Sequence, residues 1–199
     1  GLCGSWVELF GVHEGTVWKL PKDHDAIVCT MLFCGAIAHP AVMIRRMVLV
    51  ENNLSYNKEF KHASEDYDLW VRLSKVSKLA NVPEILLRYR THFSNLGTIY
   101  SSEKMENQKI VRSRQIKELE INATDENFHI HNELSDSSYV FNSTFIKLAN
   151  EWLDRLLQVN KKKKIFPNDA FISEIENRRK KMNEEYDKYR NSRSLTRRV

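Results

Sequence analysis

Long hydrophobic runs are missing from this sequence of 199 residues. No stretch approaches the roughly 18 apolar residues that a membrane-spanning helix needs, and no basic-then-apolar pattern opens the chain. Cysteine is scarce. Cys3, Cys29 and Cys34 make an odd set without the paired spacing of a metal knuckle, so we expect reduced thiols in or near a core, in a reducing compartment. The basic residues lack the interleaved aromatics and glycines of a nucleic-acid surface, and we expect no nucleic-acid partner. The net charge of +5 is itself uneven. Residues 161–199 carry 13 Lys/Arg against 6 Asp/Glu, and residues 1–160 carry 18 against 20, so the basic character belongs to the tail.

What is present suffices for a core. Hydrophobic residues make up 42% and charged residues 29%, an ordinary balance for a soluble protein. Leu2 to Val12 reads as a strand entering a turn near Glu14-Gly15. Asp23 reads as the cap of a short buried helix from Ala26 to Leu32. Ala36 to Ile44 reads as a strand with His39-Pro40 at its start, and Asn52 to Asn57 as turn chemistry. Tyr56 and Phe60 are expected to pack under the loop leading to Glu65. Leu79 to Val82 and Ile85 to Tyr89 read as two short strands broken by Pro83.

The chain is organised around Glu65-Asp66-Tyr67-Asp68-Leu69-Trp70-Val71-Arg72-Leu73. Leu69, Trp70, Leu73 and Val76 fall at helical spacing, and acidic residues are favoured at a helix N-terminus by its unpaired N–H groups and dipole. This is an acidic helix start or a general base at the mouth of a cleft. Asp23-His24-Asp25 and Asp66-Tyr67-Asp68 both spell Asp-x-Asp. Neither fits a metal motif that ends a buried strand: the first caps a helix, and residues two apart in the second diverge.

Three segments in order carry a resemblance: Ala38-His39-Pro40-Ala41-Val42-Met43-Ile44-Arg45-Arg46, then Glu65-Asp66-Tyr67-Asp68-Leu69-Trp70, then Leu87-Arg88-Tyr89-Arg90-Thr91-His92. Together they resemble the second half of the catalytic domain of inverting family-2 glycosyltransferases of the GT-A type. The likeness covers residues 1–100 well and the rest loosely. It implies an α/β fold: a partial GT-A, or nucleotide-diphospho-sugar transferase, sheet over 1–100 and a helical extension with a basic tail over 101–199. It also implies an enzyme that moves a sugar from a nucleotide sugar to a glycan or lipid-linked acceptor, in bacterial cell-surface polysaccharide synthesis. Such an enzyme is cytoplasmic and peripheral to the inner membrane face. The half carrying the family's Asp-x-Asp is expected to lie outside this sequence. We therefore expect a fragment, inactive alone and dimerising through an exposed sheet edge.

The resemblance also implies roles. Asp66 is the base and Glu65 binds the acceptor or supports Asp66. His39 has two readings, a polar residue bonded at a strand entrance or a contact to acceptor or sugar. Trp70 likewise is either core or a wall of the sugar cleft. His92 and Arg90 are implied at the diphosphate, with His92 as one ligand of a Mg²⁺ or Mn²⁺ ion whose main ligands lie on the other half. No such ion is expected on this chain alone. Arg88 and Arg90 face a phosphate or a solvated edge, and Arg45 and Arg46 touch phosphate or cover surface.

From about residue 101 the texture changes. Glu103 to Glu120 reads as a polar helix and 122–138 as an acidic, turn-rich segment. Phe145, Leu148, Ala149, Trp152, Leu153, Leu156 and Leu157 form an amphipathic stripe ended by Asn160 and four lysines. Pro167-Asn168-Asp169 starts a second helix with Phe171, Ile172, Ile175, Met182, Tyr186 and Tyr189 on one face. The two make an antiparallel hairpin, followed by a frayed end over 191–199. This hairpin and its basic tail give an alternative function, a non-catalytic module docking on a protein or an anionic membrane. Asn122-Ala123-Thr124 and Asn142-Ser143-Thr144 match the glycosylation sequon, which means little without a secretory signal.

Overall fold

A computed structural model describes residues 1–60, 63–139 and 141–196, with side chains described as far as Ser192. The chain divides into two compact units, Gly1–Gln115 and Ile116–Val199. The first is α/β, built on a mixed sheet whose centre is β1 (Leu2–Gly11). On one side β1 pairs antiparallel with β2 (Val17–Trp18) and β3 (Met43–Ile44). On the other it pairs in parallel with β4 (Leu79–Thr91), from Leu2↔Leu79 to Gly11↔Thr91. β1 ends at Gly11, whose φ of +92° turns the chain back. A Cβ there would sit 2.4 Å from the Thr91 carbonyl oxygen, so glycine is the residue that fits.

β4 is one continuous strand, which corrects the two runs expected around Pro83. The register shifts from Ser5↔Val82 to Trp6↔Ile85 and again before Val7↔Leu87. The irregularity absorbs Pro83, and β4's far edge has no partner strand among the described residues, where a missing N–H costs least. The segment 36–44 is also corrected. His39–Ala41 is a 3₁₀ turn, closed by Ala41 N–H donating to the Ala38 carbonyl, and only Met43–Ile44 is strand. Pro40 at the first turn suits this, since its absent N–H would have no partner there.

Helix α1 (His24–Thr30) is capped by Asp23, whose side chain accepts from the Ala26 N–H, as the sequence suggested. Helix α2 (Arg46–Glu51) follows β3. Helix α3 (Glu65–Ser74) then buries Tyr67, Leu69, Trp70, Val71 and Leu73 against Leu2, Ile27, Met31, Ile37 and Leu79. Phe60 joins this core, but Tyr56 is half exposed, contrary to expectation. The thiols divide similarly: Cys29 is buried, Cys34 half-buried and Cys3 exposed. The short α4 (Leu96–Ile99) leads into α5 (Ser101–Glu118). The first unit runs past residue 100 because α5 is tied into it. Asn107 Nδ2 donates to the Ala63 carbonyl at 2.8 Å, Arg112 Nε to the Phe33 carbonyl at 2.7 Å, and Gln115 Nε2 to the Met31 carbonyl at 2.8 Å.

The second unit is helical. Residues 122–138 contain helix α6 (Asp125–Asp136), where the sequence suggested only turns. Its start is a reciprocal capping box between Thr124 and Asn127. Helix α7 (Ser143–Lys163) is capped by Asn142 Oδ1, which accepts the Phe145 N–H at 2.7 Å. The end of α7 falls within the four lysines, as expected. The helix runs through Lys163 to a left-handed Lys164, since lysine is a good helix former and suits a C-terminal turn. Helix α8 (Asn168–Thr196) continues past the end expected at 191, as a helix already begun adds one bond per residue. Residues 197–199 of that expected frayed end lie outside the described residues. The expected antiparallel hairpin forms. Arg179 on α8 reaches back to Asn150 and Asp154 on α7, while Phe166 and Phe171 stack at the turn. In the α7 stripe Phe145, Ala149, Trp152, Leu153 and Leu156 are buried and Leu148 and Leu157 half-buried, and Trp152 Nε1 donates to His131 Nδ1 on α6. No described helix is long and apolar enough to cross a membrane.

Candidate active site

Over the sheet face formed by Val7, Leu9, Leu87 and Tyr89 lies a cavity of about 430 Å³. It lies wholly within the first unit. Its lining comprises Trp18 and Tyr89 from the sheet, Cys34, Ile37, Ala38, His39 and Pro40 from the chain before and within the 3₁₀ turn, Ser64, Asp66 and Tyr67 at the start of α3, and Lys104 and Gln108 on α5.

Local folding explains each position. Ser64 adopts a left-handed backbone, φ 72° and ψ 7°, immediately before α3, a conformation costing a non-glycine residue about 1–2 kcal/mol. It is held there: the Ser64 carbonyl accepts the Asp68 N–H at 3.1 Å, and Ser64 Oγ donates to the Lys104 carbonyl at 3.3 Å. That kink aims the first turn of α3 at the cavity. Asp66 Oδ1 accepts its neighbour Tyr67's N–H at 2.8 Å, leaving Oδ2 directed at His39. His39 Nδ1 stands 3.9 Å from Asp66 Oδ2, within ion-pair range but beyond a direct hydrogen bond. The His39 and Asp66 side chains are 42% and 27% exposed, so both reach solvent through the cavity mouth.

Asp68 diverges from Asp66. It is buried and receives Arg72 Nε at 2.9 Å and Arg114 Nη1 at 3.3 Å. The two carboxylates of Asp-Tyr-Asp therefore share no cation position. Glu65 does not line the cavity, and its Oε2 is buried without a hydrogen-bond partner among the described residues. Trp70 is 0% exposed and belongs to the core. It stands behind the wall, with its ring edge-on to His39 at 5.9 Å between centroids.

The structure does not bring Arg90 or His92 to this cavity. Side chains alternate along β4. Tyr89 takes the cavity face, and Arg88 on the other face pairs with Glu8 and stacks over Phe10. Arg90 shares the parity of Arg88 and is exposed. His92 lies in the exposed turn beyond, its Nδ1 bonded to Ser94 Oγ at 2.9 Å. His92 offers one imidazole, and among the described residues no three His, Cys, Asp or Glu side chains come together to hold a metal. The described residues do not by themselves make a divalent-cation site.

Sequence reasoning missed Tyr56, Trp18, Lys104, Gln108 and the cavity role of Tyr89. Tyr89 stood within the Tyr-Arg-x-His segment, so its signal was there. The others meet the site only through tertiary packing. Trp18 and Tyr89 form an aromatic wall, centroids 5.8 Å apart and planes tilted by 31°, with the Trp18 ring partly exposed.

Over 116 residues the chain is 35% identical to an uncharacterized glycosyltransferase of Haemophilus influenzae. The match takes in 58% of this chain and 34% of that protein, so the chain spans about a third of the length of the curated relative. The likeness supports a glycosyltransferase. No protein-family model and no solved structure matches the chain.

Proposed function

We propose that this chain is the acceptor-side part of an inverting glycosyltransferase of the GT-A type, with Asp66 as general base. The observation that carries the reading is the meeting of His39 and Asp66 at one cavity. All three segments that resemble the family reach this cavity, through His39, Asp66 and Tyr89, and the relative's name is of the same class. In the proposed reaction the acceptor hydroxyl attacks the anomeric carbon of the donor sugar. Its proton passes to the Asp66 carboxylate as the carbon–oxygen bond to the nucleoside diphosphate breaks. The aromatic wall of Trp18 and Tyr89 offers apolar faces on which a sugar acceptor can stack, and Lys104 offers positive charge on the opposite element. A divalent cation, the diphosphate-binding role of His92 and Arg90, and the nucleotide site belong to the same proposal. In this proposal the cation and the nucleotide are held chiefly by a donor-binding part, with His92 and Arg90 contributed by this chain.

Glu65 sits next to the base but outside the cavity lining, which does not favour a direct acceptor contact. The test is turnover by a polypeptide that joins this chain to the donor-binding part the proposal requires. Asp66→Asn should lower kcat by roughly 10²–10⁴, with donor binding nearly unchanged. Near-normal turnover by this variant removes Asp66 from the role of base.

A further inference from the structure

His39 has a second partner that the sequence did not suggest. Its Nε2 lies 2.9 Å from Tyr56 Oη, and its ring is flanked by Tyr56 and Trp70, at 5.6 and 5.9 Å between centroids. Tyr56, His39 and Asp66 thus stand in a row, with one imidazole nitrogen facing a phenol and the other a carboxylate. We propose that Tyr56 is a positioning residue: its O–H donates to His39 Nε2, which fixes the neutral imidazole as the Nδ1–H tautomer and aims that N–H at Asp66.

The alternative can be weighed atom by atom. If His39 carried its proton on Nε2, it would donate to Tyr56 Oη. Nδ1 would then turn a lone pair toward the Asp66 carboxylate, acceptor against acceptor. In the proposed arrangement each contact joins a donor to an acceptor. The choice of ring nitrogen follows from what the other nitrogen meets. Tyr56 is suited to donating, because partial burial, then the charges of Asp66 and Glu65, hold its pKa above the ordinary phenol value. Trp70 backs the ring edge-on, so the imidazole has little freedom to turn. This inference deepens the glycosyl-transfer reading, from which it takes the role of Asp66. The N–H of His39, 3.9 Å from Oδ2, would draw that oxygen electrostatically, while the Tyr67 N–H holds Oδ1 and the remaining lone pairs meet the acceptor hydroxyl.

The test needs no sugar. Nitrogen-15 spectra of the His39 ring are recorded in the labelled 199-residue chain, at a pH where the imidazole is neutral. The wild type should show a protonated Nδ1 and a bare Nε2. Tyr56→Phe should move the signals toward the Nε2–H form common for imidazole in water. A wild-type ring protonated on Nε2 overturns the proposal by itself, even if the variant fails to fold. So does a Tyr56→Phe ring that keeps the Nδ1–H form. In the longer polypeptide, Tyr56→Phe should lower kcat by about fivefold, the scale of one neutral hydrogen bond, without raising KM. If the spectra come out as expected but no nucleotide sugar is turned over, the positioning stands and the glycosyl-transfer reading fails.

Discussion

Two carboxylates in one helical turn serve different ends here. Asp66 faces the cavity, while Asp68 is buried and holds two guanidinium groups, Arg72 Nη2 at 2.7 Å and Arg114 Nη1 at 3.3 Å. Asp68→Asn takes the carboxylate from Arg72 and one of two from Arg114, which keeps Glu59 at 3.0 Å. Because each arginine is partly exposed, the expected loss is discounted from that of a fully buried pair, to roughly 1–3 kcal/mol. Urea denaturation checks it, and a variant as stable as wild type would mean the pairs contribute nothing net. Asp66→Asn should leave the denaturation midpoint nearly unmoved. The pair of variants therefore separates chemistry from folding, but Asp68→Asn is not a silent control. A second residue-scale prediction concerns His24, whose Nδ1 accepts the Leu79 N–H at 3.2 Å and must be neutral to do so. Burial, followed by nearby Lys78, lowers its pKa from 6.5. On acidification the unfolded chain takes the proton first. This stabilisation is complete above about pH 6.5 and is lost as pH falls through the lower folded value. Thermal melting between pH 7.5 and 5 should show the decline, and His24→Asn should flatten part of it.

At the scale of elements, both sequons turn out to be helix starts. Thr124 caps α6 and Asn142 caps α7. Asn142→Ala strips the acceptor from the Phe145 N–H and should cost about 1 kcal/mol, while Asn142→Asp, also a good cap, should cost little. Chemical denaturation of the two variants decides it; equal losses would assign the effect to something other than capping. These elements also show what a sequence can disclose. Helices α3 and α7 were legible because their apolar residues recur at helical spacing behind polar starts. Helix α6 was not: its box is closed by Asn127, where glutamate or glutamine is the usual signal, and its apolar positions are sparse. The continuity of β4 through Pro83 was hidden because it depends on a register shift against β1, a partner far away in the chain. The site divides in the same way. Asp66 and His39 could be singled out by the segments that hold them, whereas Tyr56, Trp18 and Lys104 join them only once the fold is closed.

At the scale of the whole molecule, the charge split acquires a location. Lys161 and Lys162 are exposed on the last turn of α7, while Lys163 pairs with Glu120 and Arg179 with Asp154. If the tail meets an anionic membrane, the unpaired lysines should carry the attraction at about 1 kcal/mol each. Co-sedimentation with anionic vesicles should then weaken with added salt and with Lys161→Glu plus Lys162→Glu; binding indifferent to both would rule out an electrostatic mechanism. The cavity, by contrast, draws every lining residue from the first 115 positions, and it presents Asp66 and an aromatic wall, while no three metal-competent side chains come together among the described residues. Sugar transfer depends on holding donor and acceptor in register, an effect that can supply about 7–11 kcal/mol of the barrier. The curated relative is about three times as long as the stretch it shares with this chain. We therefore expect the 199-residue chain alone to turn over no nucleotide sugar, and a longer polypeptide that also holds the donor to do so. Product formation by the chain alone, above a no-protein control and abolished by Asp66→Asn, would show that the first unit binds the donor as well as the acceptor, and the division of labour proposed here would fall.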